Sequence, residues 1–163
     1  MISNAKTAEN CRQKELYDTD GAVLIRQLLS SGDLQGVLDD LGLRVEMLAA
    51  REGLPLPARG TIVSVGWLSE SIKLLCQHDE HLQGVLYDAI SRAPSLHRLS
   101  VHSCVTDLVE NLLGPAFEVH PRLILLISMP MATWHLAGWH QDWFYNEGPA
   151  NSVTLWIPLH DVD

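Results

Sequence analysis

The fold expected for this chain depends on residues 139–163, which read WHQDWFYNEGPANSVTLWIPLHDVD. Near the start of this run, His140 and Asp142 lie two positions apart. In an extended chain, alternate side chains point to the same face. The imidazole of His140 and the carboxylate of Asp142 can therefore reach one point, as two ligands of a single metal ion would.

This pair has the chemistry of an iron(II) site. Two histidines and one carboxylate on one face of iron(II) leave three positions open for substrates and oxygen, and His140 and Asp142 supply two of those three ligands. Aromatic side chains flank the pair and would shield a site from water: Trp134, Trp139, Trp143, Phe144 and Tyr145. The alternative is a hydrogen-bonded surface pair, because exposed His and Asp more often have structural roles or none.

Helical patterns precede strand patterns along the chain. Apolar residues recur at helical spacing in four segments: Asp33–Ala50, Leu68–Gln77, His81–Ser91 and Val101–Leu113. Runs typical of strands cover three others: Ala22–Ile25, Phe117–Met129 and Ser152–Leu159. This order predicts an α+β fold with a sheet packed against helices. Residues 1–163 would form a single domain, with 1–15 flexible, 16–115 mainly helical, and 116–163 holding the first core strands and the His-x-Asp motif.

The run at 139–163 resembles the iron-binding segment of the phytanoyl-CoA dioxygenase family. There a His-x-Asp pair precedes a strand that ends in Trp and an apolar stretch, followed by an acidic turn. Residues 17–41, YDTDGAVLIRQLLSSGDLQGVLDDL, are similar to the family's opening strand and helix. Leu112–Pro115 and the strand through Pro130 also lie where the family would place them. The resemblance implies a double-stranded β-helix (a cupin-like jelly roll) with flanking N-terminal helices, incomplete at the C-terminus.

The resemblance also implies roles for individual residues. His140 and Asp142 would be the first two iron ligands, and Gln141 matches a position linked to 2-oxoglutarate. Trp156 matches a tryptophan that lines the cosubstrate pocket, and Leu125 aligns with another cosubstrate contact. For Trp156 and Leu125, plain core packing is an equally good interpretation.

Two residues of the family's site have no counterpart here. The family's third ligand is a histidine on a later strand, followed by an arginine that binds the far carboxylate of 2-oxoglutarate, a task that suits a bidentate guanidinium. No arginine or lysine follows Arg122, and His160 lies too close to the strand that bears Trp156. We therefore expect the sequence, which ends at Asp163, to be a fragment that supplies two of the three ligands.

The implied activity is that of an iron(II)- and 2-oxoglutarate-dependent dioxygenase that hydroxylates a small organic substrate. One alternative is a catalytically inactive remnant that acts as an interaction domain, because a half-built jelly roll leaves unpaired strand edges that invite oligomers. Another is a metal-dependent hydrolase that uses His and Asp ligands. Oxygen dependence would separate the hydrolase from the oxygenase.

Composition restricts the partners. Acidic residues outnumber basic ones by 20 to 11, which gives a formal charge of −9. This balance repels nucleic-acid phosphates and anionic membrane surfaces, so the expected partner is a small-molecule substrate. Cys11, Cys76 and Cys104 are far apart and form no CxxC pair, as expected for reduced thiols in a cytoplasmic protein. His78 and His81 have the spacing of a helical zinc-binding pair, although a closed zinc site needs four ligands.

Overall fold

The computed structural model describes residues 2–121, 123–127, 149 and 151–162, with side chains from Glu9 onward. Within this part of the chain there are six helices: α1 (Ile2–Asp20), α2 (Ser31–Glu52), α3 (Val65–His78), α4 (His81–Ile90), α5 (Pro94–Ser100) and α6 (Ser103–Leu113). They form two compact units. The α1/α6 unit also contains residues 151–155, and the α2–α5 unit also contains 123–127 and 156–162.

The predicted jelly roll is wrong. The described residues contain six helices and no strand, so neither a double-stranded β-helix nor an α+β fold fits them. Residues 22–25, and the described parts of 117–129 and 152–159, lie outside regular secondary structure. The apolar pattern that predicted strands is local, whereas a strand forms only when a neighbouring strand pairs with it. No described residue supplies that pairing.

The helical predictions agree with the structure to within a few residues. Helix α3 begins after Ser64, whose hydroxyl accepts a hydrogen bond from the Trp67 amide at 3.2 Å. Helix α6 ends at Gly114, which has a φ of 98° and donates its N–H to Glu110 O. Glycine adopts this positive φ without a steric penalty. Helix α1 covers residues 2–20, a range that includes most of the segment expected to be flexible.

The core of the α2–α5 unit lies where α2 packs against α3 and α4. Each helix buries one apolar face, as its spacing predicts. The apolar side chains of these three helices that are larger than alanine and at most 5% exposed are Val37, Leu41, Val45, Leu68, Ile72, Leu75, Leu82, Leu86 and Ile90. Residues 53–64 connect α2 to α3, and the Trp67 indole N–H holds this loop by donating to Pro57 O at 3.0 Å.

Helix α2 approaches this loop very closely at Gly42. A Cβ added to Gly42 would lie 2.9 Å from Val63 Cγ2 and 3.1 Å from Val63 Cγ1. Val63 is buried and β-branched, so its methyl groups have little freedom to move away. The glycine is therefore required by packing, although glycine weakens a helix interior.

We predict that Gly42→Ala lowers the free energy of unfolding by about 1–3 kcal/mol, because the overpacking penalty exceeds the gain in helix propensity. Gly84→Ala is the matched control, since a Cβ there meets nothing within 4 Å. That change should raise stability by up to about 1 kcal/mol. Urea denaturation of both variants gives the comparison, and an equal stabilisation of both would contradict the close approach.

A polar network centred on Asp40 joins α2 to α5 and α4. The Asp40 carboxylate accepts hydrogen bonds from the Ser95 hydroxyl and from the Ser95 amide at 3.3 Å, at the start of α5. Arg44, one turn along α2, lies 3.5 Å from Asp40 Oδ1 and donates through Nε to Ala89 O in α4 at 3.2 Å. The hydrogen bond from Ser95 is the main cause of a lowered pKa of Asp40, and burial opposes it.

We predict that Asp40→Ala destabilises the protein by about 1–2 kcal/mol at pH 7, because two donors of Ser95 lose their acceptor. Since the folded-state pKa of Asp40 lies below the ordinary value of 3.8, the part of this stabilisation that depends on the negative charge is complete above pH 3.8 and is lost as the pH falls through the lowered pKa. Urea denaturation at pH 7 and pH 3 should show the difference from wild type shrinking in acid. Asp39→Ala, at an exposed neighbour, should be nearly neutral; an equal loss there would exclude a specific role for Asp40.

In the α1/α6 unit, side chains of the two helices donate to each other's main chains. Asn111 Nδ2 donates to Asn10 O at 2.9 Å. Lys14 Nζ donates to Leu112 O at 3.1 Å and forms an ion pair with Asp18. Cations are favourable near a helix C-terminus, where carbonyl groups lack helical partners. Lys14 therefore helps to complete the end of α6.

None of the described helices is both long enough and apolar enough to cross a membrane.

Candidate functional site

The predicted metal ligands lie outside the described residues. His140, Gln141 and Asp142 belong to the block 128–148, for which no placement is described, and so do the flanking aromatic residues. Their roles as ligands and as a cosubstrate contact stay predictions. The surroundings that the structure does describe are the two segments that flank this block, 123–127 and 151–162.

Leu125 lies in the first flanking segment and is buried, with 9% of its surface exposed. Its neighbours Ile124 and Leu126 are each 62% exposed, so exposure alternates along the segment. Such alternation is typical of an extended chain with one face packed. The burial of Leu125 is compatible with core packing and leaves its predicted contact with 2-oxoglutarate untested.

Trp156 lies in the second flanking segment and is 71% exposed. This exposure favours neither core packing nor the lining of an enclosed pocket, so the predicted contact of Trp156 with 2-oxoglutarate stays a prediction. Val153, Leu155 and Ile157 are partly buried, whereas Thr154 and Trp156 face solvent. The two sets of alternating side chains that the sequence predicts for this segment therefore differ in exposure as expected, although the segment forms no strand.

Each flanking segment is held by a helix side chain that donates to its main chain. Gln83, in α4, donates through Nε2 to Ile127 O at 3.2 Å. The Tyr17 hydroxyl, in α1, donates to Ser152 O at 3.2 Å. Sequence reasoning missed both contacts, because they join residues that are 44 and 135 positions apart. The one signal for Gln83 was a polar residue on the apolar face of a predicted helix.

The zinc interpretation of His78 and His81 finds no support. The structure ends α3 at His78 and begins α4 at His81, so the two residues do not share one helix face. Asp79 between them has an extended backbone and accepts a hydrogen bond from the His81 amide at 2.9 Å. Among the described residues, no three His, Cys, Asp or Glu side chains come together to hold a metal ion.

The remaining candidate groups have local roles. His160 Nδ1 lies 2.6 Å from Asp161 O, and its side chain is exposed. All three cysteines are free, and burial raises the pKa of the Cys76 thiol. A raised pKa disfavours the reactive thiolate. Cys76 is therefore best understood as a small, partly buried side chain.

The donor set that the sequence offers fits iron(II) in its chemistry. A neutral imidazole and a carboxylate are two of the three ligands that non-haem iron(II) oxygenases use. His140 and Asp142 would hold the metal, and a further donor is needed to complete the triad. No family model, curated protein or solved structure matches this chain.

Proposed function

We propose that this chain contributes the first two metal ligands of an iron(II)- and 2-oxoglutarate-dependent oxygenase similar to the phytanoyl-CoA dioxygenases. The observation that carries the proposal is the His140-x-Asp142 pair in the run 139–163. The proposal does not include the family's jelly roll. A pair spaced by two positions can present both ligands to one metal from any short extended segment.

In this proposal His140 and Asp142 hold iron(II), and Gln141 and Trp156 contribute to the binding of 2-oxoglutarate. The metal and its cosubstrate, when bound, supply the oxidising power needed to hydroxylate an unactivated C–H bond. The protein supplies ligand geometry and a site from which water is excluded. The aromatic residues on both sides of the pair are suited to that second task.

The proposal extends to partners and location. A small organic molecule is the expected substrate, and the charge of −9 disfavours nucleic acid and anionic membranes. A coenzyme A ester is a poor fit, because the chain has no cluster of Lys or Arg for its phosphates. The free cysteines are in keeping with a cytoplasmic location.

Metal binding tests the proposal. We predict that the wild-type chain retains iron(II) in anaerobic equilibrium dialysis, and retains more when 2-oxoglutarate adds its own oxygen donors. His140→Ala and Asp142→Ala should each weaken binding at least about tenfold, because each removes a protein ligand.

His81→Ala is the control for the dialysis experiment. His81 lies at the start of α4, away from any described group of metal donors, so its removal should leave iron binding unchanged. Equal binding by wild type and by all three variants would refute the assignment of His140 and Asp142. Retention of zinc with oxygen-independent hydrolysis would favour the hydrolase instead.

A second candidate function, an interaction domain, is favoured by the exposed apolar residues of the flanking segments. Ile124, Leu126 and Trp156 are 62%, 62% and 71% exposed. Exposed tryptophan is enriched among the residues that dominate binding at protein interfaces. Unpaired extended segments with apolar side chains also favour association.

We predict for this second candidate that Trp156→Ser weakens self-association or partner binding at least about tenfold, as for a residue that dominates an interface. Sedimentation velocity over a range of concentrations measures the association. Ile62→Ser is the matched control, because Ile62 is 68% exposed in a different loop. A wild-type chain that stays monomeric at all concentrations would count against self-association.

A further inference from the structure

The starting observation is a buried amide on an apolar helix face. Gln83 is only 8% exposed and lies in α4 beside the buried residues Leu82 and Leu86. A buried amide is costly unless its polar atoms find hydrogen-bond partners. Gln83 meets this requirement partly through a main-chain carbonyl distant in sequence, that of Ile127 at 3.2 Å.

Segment 123–127 is held at two points. Leu125 is buried, and the main-chain carbonyl of Ile127 accepts the hydrogen bond from Gln83. The side chains of Ile124 and Leu126, on either side of Leu125, face solvent. In an extended chain, a slip by one residue exchanges the two faces. The hydrogen bond and the buried side chain therefore specify the same register, with Leu125 packed and its two neighbours outside.

We propose that Gln83 is a positioning residue that fixes the register of segment 123–127 and thereby the placement of Leu125. This inference rests on the proposed function, because Leu125 is the predicted contact with 2-oxoglutarate on this segment.

The structure offers a matched control in Gln35. Its Nε2 donates to Val63 O at 3.1 Å, so it is a second glutamine that holds a loop carbonyl in the same unit. It also donates to Asp39 on its own helix. Gln83→Met and Gln35→Met both replace the amide by an unbranched apolar chain of similar length and remove the bond to the loop.

Hydrogen–deuterium exchange of the full chain, read by mass spectrometry, tests the anchoring. In Gln83→Met, exchange in peptides covering 123–127 should rise about five- to tenfold, because loss of an anchor worth about 1 kcal/mol raises the fraction of molecules in which the segment is detached by that factor. Exchange at 61–64 should not change. Gln35→Met should show the opposite pattern. Unchanged exchange at 123–127 in Gln83→Met would overturn the inference. If that variant does not fold, Gln83→Asn, whose shortened amide no longer reaches Ile127 O, gives the same test.

Calorimetric titration of 2-oxoglutarate into the manganese(II)-loaded chain tests the functional consequence. Its affinity should fall several-fold in Gln83→Met and stay at the wild-type value in Gln35→Met, although both remove a loop anchor. Equal affinity in wild type and Gln83→Met would overturn the positioning role and leave the proposed function standing. No binding by wild type would count against the proposed function, and Gln83 would then be a structural anchor only.

Discussion

The alignment of α2 with α5 depends on the hydrogen bonds that the Asp40 carboxylate accepts. This carboxylate satisfies both the hydroxyl and the amide of Ser95 at the start of α5, while Arg44 of the same helix turn reaches Ala89 O in α4. Helix α2 therefore makes polar contacts with two later helices at fixed points, in addition to its apolar packing. Apolar contact alone is non-directional and tolerates sliding. Directional bonds between buried or half-buried groups select one alignment of the helices.

Helix α4 packs against α2. Its apolar face carries one buried amide, that of Gln83. Gln83 on that face donates to Ile127 O, and Leu125, two residues earlier in the same segment, is buried. Within the described residues, α2 packs against α4, and α4 holds segment 123–127 through Gln83.

Helix positions were largely predictable from the sequence, and tertiary pairing was not. Apolar residues at helical spacing indicated α2, α3, α4 and α6, because that pattern reports a local requirement, the burial of one face. The sequence also predicted the break between α3 and α4, because one helical pattern ends at Gln77 and the next begins at His81. The predicted strands failed, because alternation at segments such as 152–159 shows only which side chains prefer burial. Whether a second strand pairs with the segment is a non-local matter. The contact between Gln83 and Ile127 was hidden for the same reason.

We propose that His140 and Asp142 bind one iron(II) ion. X-ray absorption at the iron edge, recorded on the anaerobic chain loaded with one equivalent of iron(II), tests this most directly, because it reports the atoms bound to the metal. We predict outer-shell scattering from a single imidazole, lost in His140→Ala, together with a shell of oxygen donors. A spectrum identical to that of iron(II) in buffer would contradict the claim.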